Sequence, residues 1–254
     1  MARSFIQANS DNILTAAVQF PQTACTCATW LSLNTIPITS VWLSHVIGST
    51  SAAMQFFCAT DGTINARIIQ TINTVYIGRS SNAAAISGDG LWHHLAMVWN
   101  GGATNAAITI YVAGSQVDTT NSGAGSFAAI YSGALPRMGI GFQNSIGGTS
   151  NANINGRMAD AVIYNTNLTV AEIVALAKGA RPFTVRPRSI QWYWPLDGIQ
   201  SPEPDFSGNA LNGVVTGAAL TAGPPLMPFT PRWPQFSEPP PPPPTSILFA
   251  QASL

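Results

Sequence analysis

Short runs in which apolar and polar residues alternate recur along this chain, and turn residues interrupt them every ~8–12 residues. A period of two places successive side chains on opposite faces, so each run predicts a strand with one face for a core. Many short strands at this spacing leave a sandwich or a barrel as the available folds. Residues 13–20 and 24–33 are the first two runs; in the second, Cys25, Cys27, Thr29, Leu31 and Leu33 share one side and Trp30 takes the other. Runs at 41–46, 53–59, 66–71 and 74–77 follow, separated by Gly48, Asp61-Gly62 and Asn73. Asp61-Gly62 predicts a hairpin, because glycine accepts the positive φ that such a turn requires. Further on, His93, Leu95, Met97 and Trp99 alternate against His94, Ala96 and Val98, and residues 108–112 predict their partner strand, turned at Gly114.

One segment breaks this pattern. Thr169 followed three residues later by Glu172 is a capping box, which satisfies two otherwise unpaired backbone donors. Val170, Ile173, Val174 and Leu176 form an apolar stripe at helical spacing, Lys178 suits the negative end of the dipole and Gly179 supplies the stop. The spacing predicts a short structural helix.

A chain of 254 residues can bury one large core. Charged residues make up only 8%, against about 25% in ordinary globular proteins. The net charge is zero, so copies of the chain do not repel one another, which favours packing in an assembly. No basic stripe exists to neutralise phosphates, so nucleic acid is not expected as a partner. No run of about 20 apolar residues predicts a membrane helix, and the first residues lack the apolar stretch of a signal peptide. Cys25, Cys27 and Cys58 are too few for a disulfide framework; Cys25 and Cys27 lie on one strand face and cannot easily bridge each other. Synthesis in a reducing cytoplasm, without a leader, is the expectation.

Three stretches carry a resemblance. Gly88-Asp89-Gly90-Leu91-Trp92-His93-His94-Leu95-Ala96-Met97-Val98-Trp99 leads into residues 108–114, and the chain then continues through 156–165 to 168–176. Strands, Gly-turned hairpin and capped helix in this order resemble the laminin-G-like, concanavalin A-like jelly-roll family over about residues 4–217. The resemblance implies an all-β, two-sheet antiparallel jelly-roll sandwich with one short helix, an architecture that usually binds and rarely catalyses. Ala113 departs from the family by standing where Asp is frequent at the hairpin tip. Residues 190–213, with Tyr193-Trp194-Pro195-Leu196-Asp197-Gly198 and Asp205-Phe206-Ser207-Gly208-Asn209, are similar to the family's opening strand and loop but lie near the C-terminal end. The expectation is a domain over 1–225, with 190–217 closing the sandwich as a permuted first strand and loop, or else swapping into a neighbour.

Relatives often carry calcium near that loop. Calcium needs several oxygen ligands, and Asp205 and Asn209, with Asp197 and Asp160, are the candidate set; otherwise Asp205 and Asn209 make Asx turns without metal. No cofactor is required by any motif. A glycoside hydrolase needs two facing carboxylates, and no Glu-x-Asp-x-Glu run occurs. His93 and His94 are adjacent on a strand and point apart, so they form no common site. The chain reads as non-enzymatic. Sugar recognition needs an exposed aromatic platform; of Trp30, Trp42, Trp92, Trp99, Trp192, Trp194 and Trp233, most fall within apolar alternation and predict core. The polar stretches 119–123 and 147–151 could equally bind a glycan or simply turn the chain.

Residues 226–254 differ in kind. Six consecutive prolines from Pro239 to Pro244 form a stiff extended rod, followed by the apolar Ile247-Leu248-Phe249, while Trp233 sits among prolines as an anchor. This arm predicts contact either with its own domain or, as the preferred reading, with another copy or another protein, by adding a strand to a sheet edge. The resulting expectation is a structural protein at a virion-like surface, such as a phage decoration, fibre or tail-associated protein. The alternative is a carbohydrate-binding adhesin that recognises a cell-surface glycan.

Overall fold

The computed structural model describes residues 1–225 except 10, 18, 37–39, 48–50, 72–73, 133–136, 142–153 and 199. The whole proline-rich arm, including Trp233, Pro239, Pro244, Ile247, Leu248 and Phe249, therefore lies outside the described residues, as does the polar stretch 147–151.

In chain order the strands are β1 (Ala2–Phe5), β2 (Asn12–Ala17), β3 (Cys25–Leu33), β4 (Ser40–Ile47), β5 (Ser51–Cys58), β6 (Ile64–Thr71), β7 (Val75–Ser81) and β8 (His93–Trp99). They continue as β9 (Ile108–Val112), β10 (Ser115–Gln116), β11 (Asp118–Asn121), β12 (Arg137–Ile140), β13 (Gly156–Tyr164), β14 (Ile190–Trp194), β15 (Val214–Thr216) and β16 (Ala219–Thr221). The helix α1 spans Val170–Ala177. Two antiparallel eight-stranded sheets result. One runs β10-β9-β8-β3-β13-β1-β16 with β14 also on β13, and the other runs β11-β7-β6-β5-β4-β12-β2-β15. The fold is an all-β jelly-roll sandwich with one short helix.

The alternation read from the sequence decides which side chains enter the space between the sheets. Cys25, Cys27, Leu31, Leu33, Leu95, Met97 and Trp99 from one sheet meet Leu43, Met54, Phe56, Ile64, Ile68 and Ile77 from the other. The three cysteines are free and buried. Residues 119–121 belong to β11, paired with β7, and not to a loop. The outer face of the first sheet is covered in turn: Ala28, Ala96, Val98, Val162, Tyr164 and Tyr193 pack with Ile173 and Leu176 of α1. Thr169 and Glu172 complete the capping box, and Gly179 follows the helix at φ 93°.

β13 contains the irregularity that matters most. Its register against β3 shifts between Ala159 and Val162, a β-bulge in which Asp160 takes φ 48°. The extra residue moves the inward set from Met158 to Ala161 and Ile163 and turns Asp160 out under the helix.

The connector after α1, where Arg181-Pro182 and Arg186-Pro187 suggest extended chain, instead folds into two 3-10 turns, Pro182–Thr184 and Pro187–Ser189. In each the proline stands at the first helical position, where its fixed φ suits the turn and its missing N–H costs nothing. The chain then returns to both sheets. β14 pairs with β13, β15 with β2 and β16 with β1. An ion pair fastens this return: Arg3 on β1 donates through Nε and Nη2 to Glu203 Oε2 at 3.0 and 2.7 Å, and also to the carbonyls of Ala218 and Gln200. Both side chains are buried. Gly213 lies where a Cβ would stand 2.3 Å from the Trp194 ring and 2.4 Å from Ile13, so no larger residue fits.

Candidate functional site: a cleft on the returning segment

A cleft of about 180 Å³ opens between the connector and the loop after β14, lined by Arg181, Phe183, Tyr193, Pro195, Asp197 and Phe206. Beneath it lies a polar triad of Asp160, Arg181 and Tyr193, in which Arg181 is half-buried. Asp160, turned outward by the bulge, accepts from Arg181 Nη1 at 2.9 and 3.1 Å and from the Tyr193 hydroxyl. Burial pushes the Asp160 carboxyl above the usual range, partly offset by the Tyr193 hydroxyl and the Arg181 charge. Burial, with Asp160 beside it, also drives the Tyr193 phenol up, so the hydroxyl stays a donor. Behind the triad, between α1 and the sheet, is a cavity of about 10 Å³ bounded by Trp30, His94 and Asp160, room for a single water.

The rim is aromatic. Phe206 is 60% exposed and meets Tyr193 edge-on at 6.2 Å between ring centres. Phe183 is half-buried on the opposite connector. Asp197 is half-buried, and among the described residues no hydrogen bond or ion pair engages its carboxylate.

The loop holding Phe206 is built by Asp205. Its Oδ1 accepts from the backbone N–H of Tyr193 and Ser207 at 3.0 and 2.9 Å, and its Oδ2 from the Ser207 hydroxyl and the Leu211 N–H at 2.6 and 3.0 Å. Asn209 donates to the Gln191 carbonyl, and Asn212 accepts from the Asp205 N–H. The Ser207 N–H bond closes an Asx turn on Asp205, Asn209 forms none, and the Tyr193 and Leu211 bonds to Asp205 are longer-range ties. Together the bonds to Asp205 aim N–H and O–H donors at the carboxylate, a donor set that does not suit a cation. Of the four residues considered for calcium, Asp197 lines the cleft, Asp160 lies behind Arg181 and Tyr193, and Asp205 and Asn209 serve the loop. Among the described residues no three His, Cys, Asp or Glu side chains gather as a metal site.

Among the described residues the other aromatic and histidine candidates resolve into packing, and the side chains of Trp42 and Trp233 lie outside them. Trp30, Trp99, Trp192 and Trp194 are buried, and Trp92 lies beneath the Arg157 guanidinium at 5.1 Å. His94 is buried edge-on to Trp30, whereas His93 is half-buried and 3.7 Å from Asp89. Arg181, Phe183 and Phe206 went unread in the sequence. Phe206 left one usable sign: a large aromatic alone in a run of turn residues has no strand to bury it.

Two eight-stranded sheets, a helix on the outer face of one, and a small aromatic-rimmed cleft define a lectin-like jelly roll. The chain belongs to the concanavalin A-like lectin/glucanases superfamily, whose Laminin_G_3 profile matches residues 7–174. No curated protein matches significantly. Among solved structures, the chain is similar to a candidate carbohydrate binding protein from Bacteroides ovatus ATCC 8483, at 15% identity and TM-score 0.59, over 87% of this chain and 60% of that one. It is also similar to the K499G mutant of NanB sialidase from Streptococcus pneumoniae, at 12% identity and TM-score 0.50, over 68% of this chain and 27% of that one. A native heptameric SAP-like pentraxin from Limulus polyphemus matches at 17% identity and TM-score 0.44, over 68% and 84% of the two chains. At these identities the first two likenesses show the fold alone.

Proposed function

We propose that this protein is a non-catalytic carbohydrate-binding module whose sugar site is the cleft of Phe183, Tyr193, Asp197 and Phe206. The observation that carries this reading is the exposed Phe206 ring, held over a concave, polar-floored cleft by the Asp205 loop. Apolar sugar faces stack on such rings while hydroxyls meet the polar groups. The family, and the likeness to a candidate carbohydrate binding protein, support it. A non-catalytic role is supported by how the carboxylates are used. Glu172 caps the helix and pairs with Arg186, Glu203 pairs with Arg3, Asp118 with Arg79, and Asp160 with Arg181. That leaves Asp197 without the facing carboxylate that glycoside hydrolysis requires. The virion-surface reading rests on the arm, outside the described residues, and gains no support from the cleft.

The test is a glycan array followed by calorimetry on each hit. Phe206→Ala is expected to abolish binding while leaving the unfolding free energy within about 0.5 kcal/mol of wild type, as for other exposed positions. Leu91→Ser, at an exposed residue outside the cleft, is expected to bind normally. Full binding by Phe206→Ala would remove the cleft from consideration.

A further inference from the structure

The charges around the cleft go beyond the sugar reading, on which this inference rests, and name a ligand class. The cleft offers one cation, Arg181, and that cation is already bonded to both Asp160 oxygens. Asp197 stands on the same cleft with no hydrogen bond or ion pair among the described residues. Its charge adds to the raising of the carboxyls of both Asp160 and Glu203, so it lies within the field of two other acids. Glu203 is itself matched by Arg3. Pair by pair, Asp160 with Arg181 and Glu203 with Arg3, the charges cancel; Asp205 is taken up by the donors of its loop, and Asp197 is left with neither a counter-charge nor a donor among the described residues.

Three aromatic residues, Phe183, Tyr193 and Phe206, share the cleft with that carboxylate. Ring faces are negative at their centres and attract cations. An anionic sugar would meet an unmatched acid, with the cleft's only guanidinium already engaged. The volume of about 180 Å³ is below the ~300 Å³ at which drug-sized pockets begin, so the cleft suits one ring-sized unit and not a long chain.

We infer that the cleft selects an amino sugar with a free, protonated amine, with Asp197 as the residue that reads the ammonium and the aromatic rim as the platform for its ring. The amine donates to the Asp197 carboxylate, and acetylating it removes both the charge and the donors.

The experiment titrates the full chain with the trisaccharide of β-1,4-linked glucosamine, the trisaccharide of N-acetylglucosamine and a trisaccharide of galacturonic acid, in one mildly acidic buffer at low salt. The glucosamine trisaccharide is expected to bind about tenfold tighter than its acetylated counterpart, the size of one charge-assisted hydrogen bond, with the galacturonic trisaccharide weakest. Raising the salt shrinks the difference, and Asp197→Asn brings the first two to equal affinity. If the acetylated sugar binds as well as or better than the free amine, the charge inference is overturned and the sugar reading stands. If Asp197→Asn keeps the preference, the amine is read elsewhere and the assignment to Asp197 fails. If none of these trisaccharides binds and the array is blank, both readings fall.

Discussion

The stretch from residue 88 to 179 and the stretch from 180 to 221 contribute to the same sandwich by different means. Among the described residues of the first, β8, β9 and β13 fill the core on one face, and α1 covers the other. In the second, short elements are tied by directed polar bonds, from Arg3 to Glu203 and from Asp205 to its own loop. The backbone differs too. The non-glycine residues at positive φ among those described are Ala84, Ala113, Asp160, Arg186, Leu196 and Ala210. Three of the six lie in the later stretch, and Asp160 faces it from the bulge. Backbone strain of this kind persists where the surroundings over-determine it, and it concentrates at sites. The first stretch relies mainly on burial, whereas the second adds directed polar contacts to the buried Trp192, Tyr193 and Trp194 of β14, and the cleft is where they meet.

The largest effect should come from cutting the polar fastening. Arg3→Met is expected to destabilise by about 3–5 kcal/mol in urea unfolding, because it leaves the Glu203 carboxylate buried and unmatched. Arg3→Met combined with Glu203→Met should recover most of that loss. A single variant as stable as wild type would show that burial also holds the return.

A second test addresses the packed stretch. Burial holds His94 neutral, lowering its pKa from 6.5 to about 3. The unfolded chain takes up that proton near 6.5, so the stability it contributes is complete above that pH and is lost as pH falls towards 3. One proton is worth about 1.4 kcal/mol per pH unit, giving a loss of about 2 kcal/mol between pH 6.5 and about pH 5. His94→Phe should flatten the slope across this window; an unchanged slope would assign it to other groups.

Thr169→Ala should cost about 1 kcal/mol by removing the helix cap, measured as a shift in the unfolding midpoint. The smallest effect is at the β9–β10 turn. Ala113 and Gly114 both have positive φ, 50° and 83°, a turn that prefers Asn-Gly. Ala113→Asn should stabilise by up to about 1 kcal/mol, since Asn tolerates the left-handed region better than Ala.

The packed stretch was readable because its signals are local: period two for the strands, Thr169 and Glu172 for the helix. The hairpin at Asp61-Gly62 and the back-to-back histidines follow from the same reasoning. The cleft was not readable, because its lining comes from separate loops that only tertiary pairing brings together. Asp160 and Asp197 were singled out for their oxygens, yet the bulge and Arg181 decide what those oxygens do. One trace of the bulge is present in the chain: the apolar inward residues Met158, Ala161 and Ile163 are spaced three and then two apart.

The pairings of β1 have a consequence for biosynthesis. This four-residue strand lies between residues 156–158 on one side and residues 219–221 on the other, and its Arg3 is answered by Glu203. During translation it waits beside no partner until more than 150 residues have followed it, and Arg3 stays unmatched until Glu203 emerges. Contacts so distant in sequence are slow to form. β1 can therefore gain its second neighbour, and Arg3 its counter-charge, only once residues 203–221 have been made.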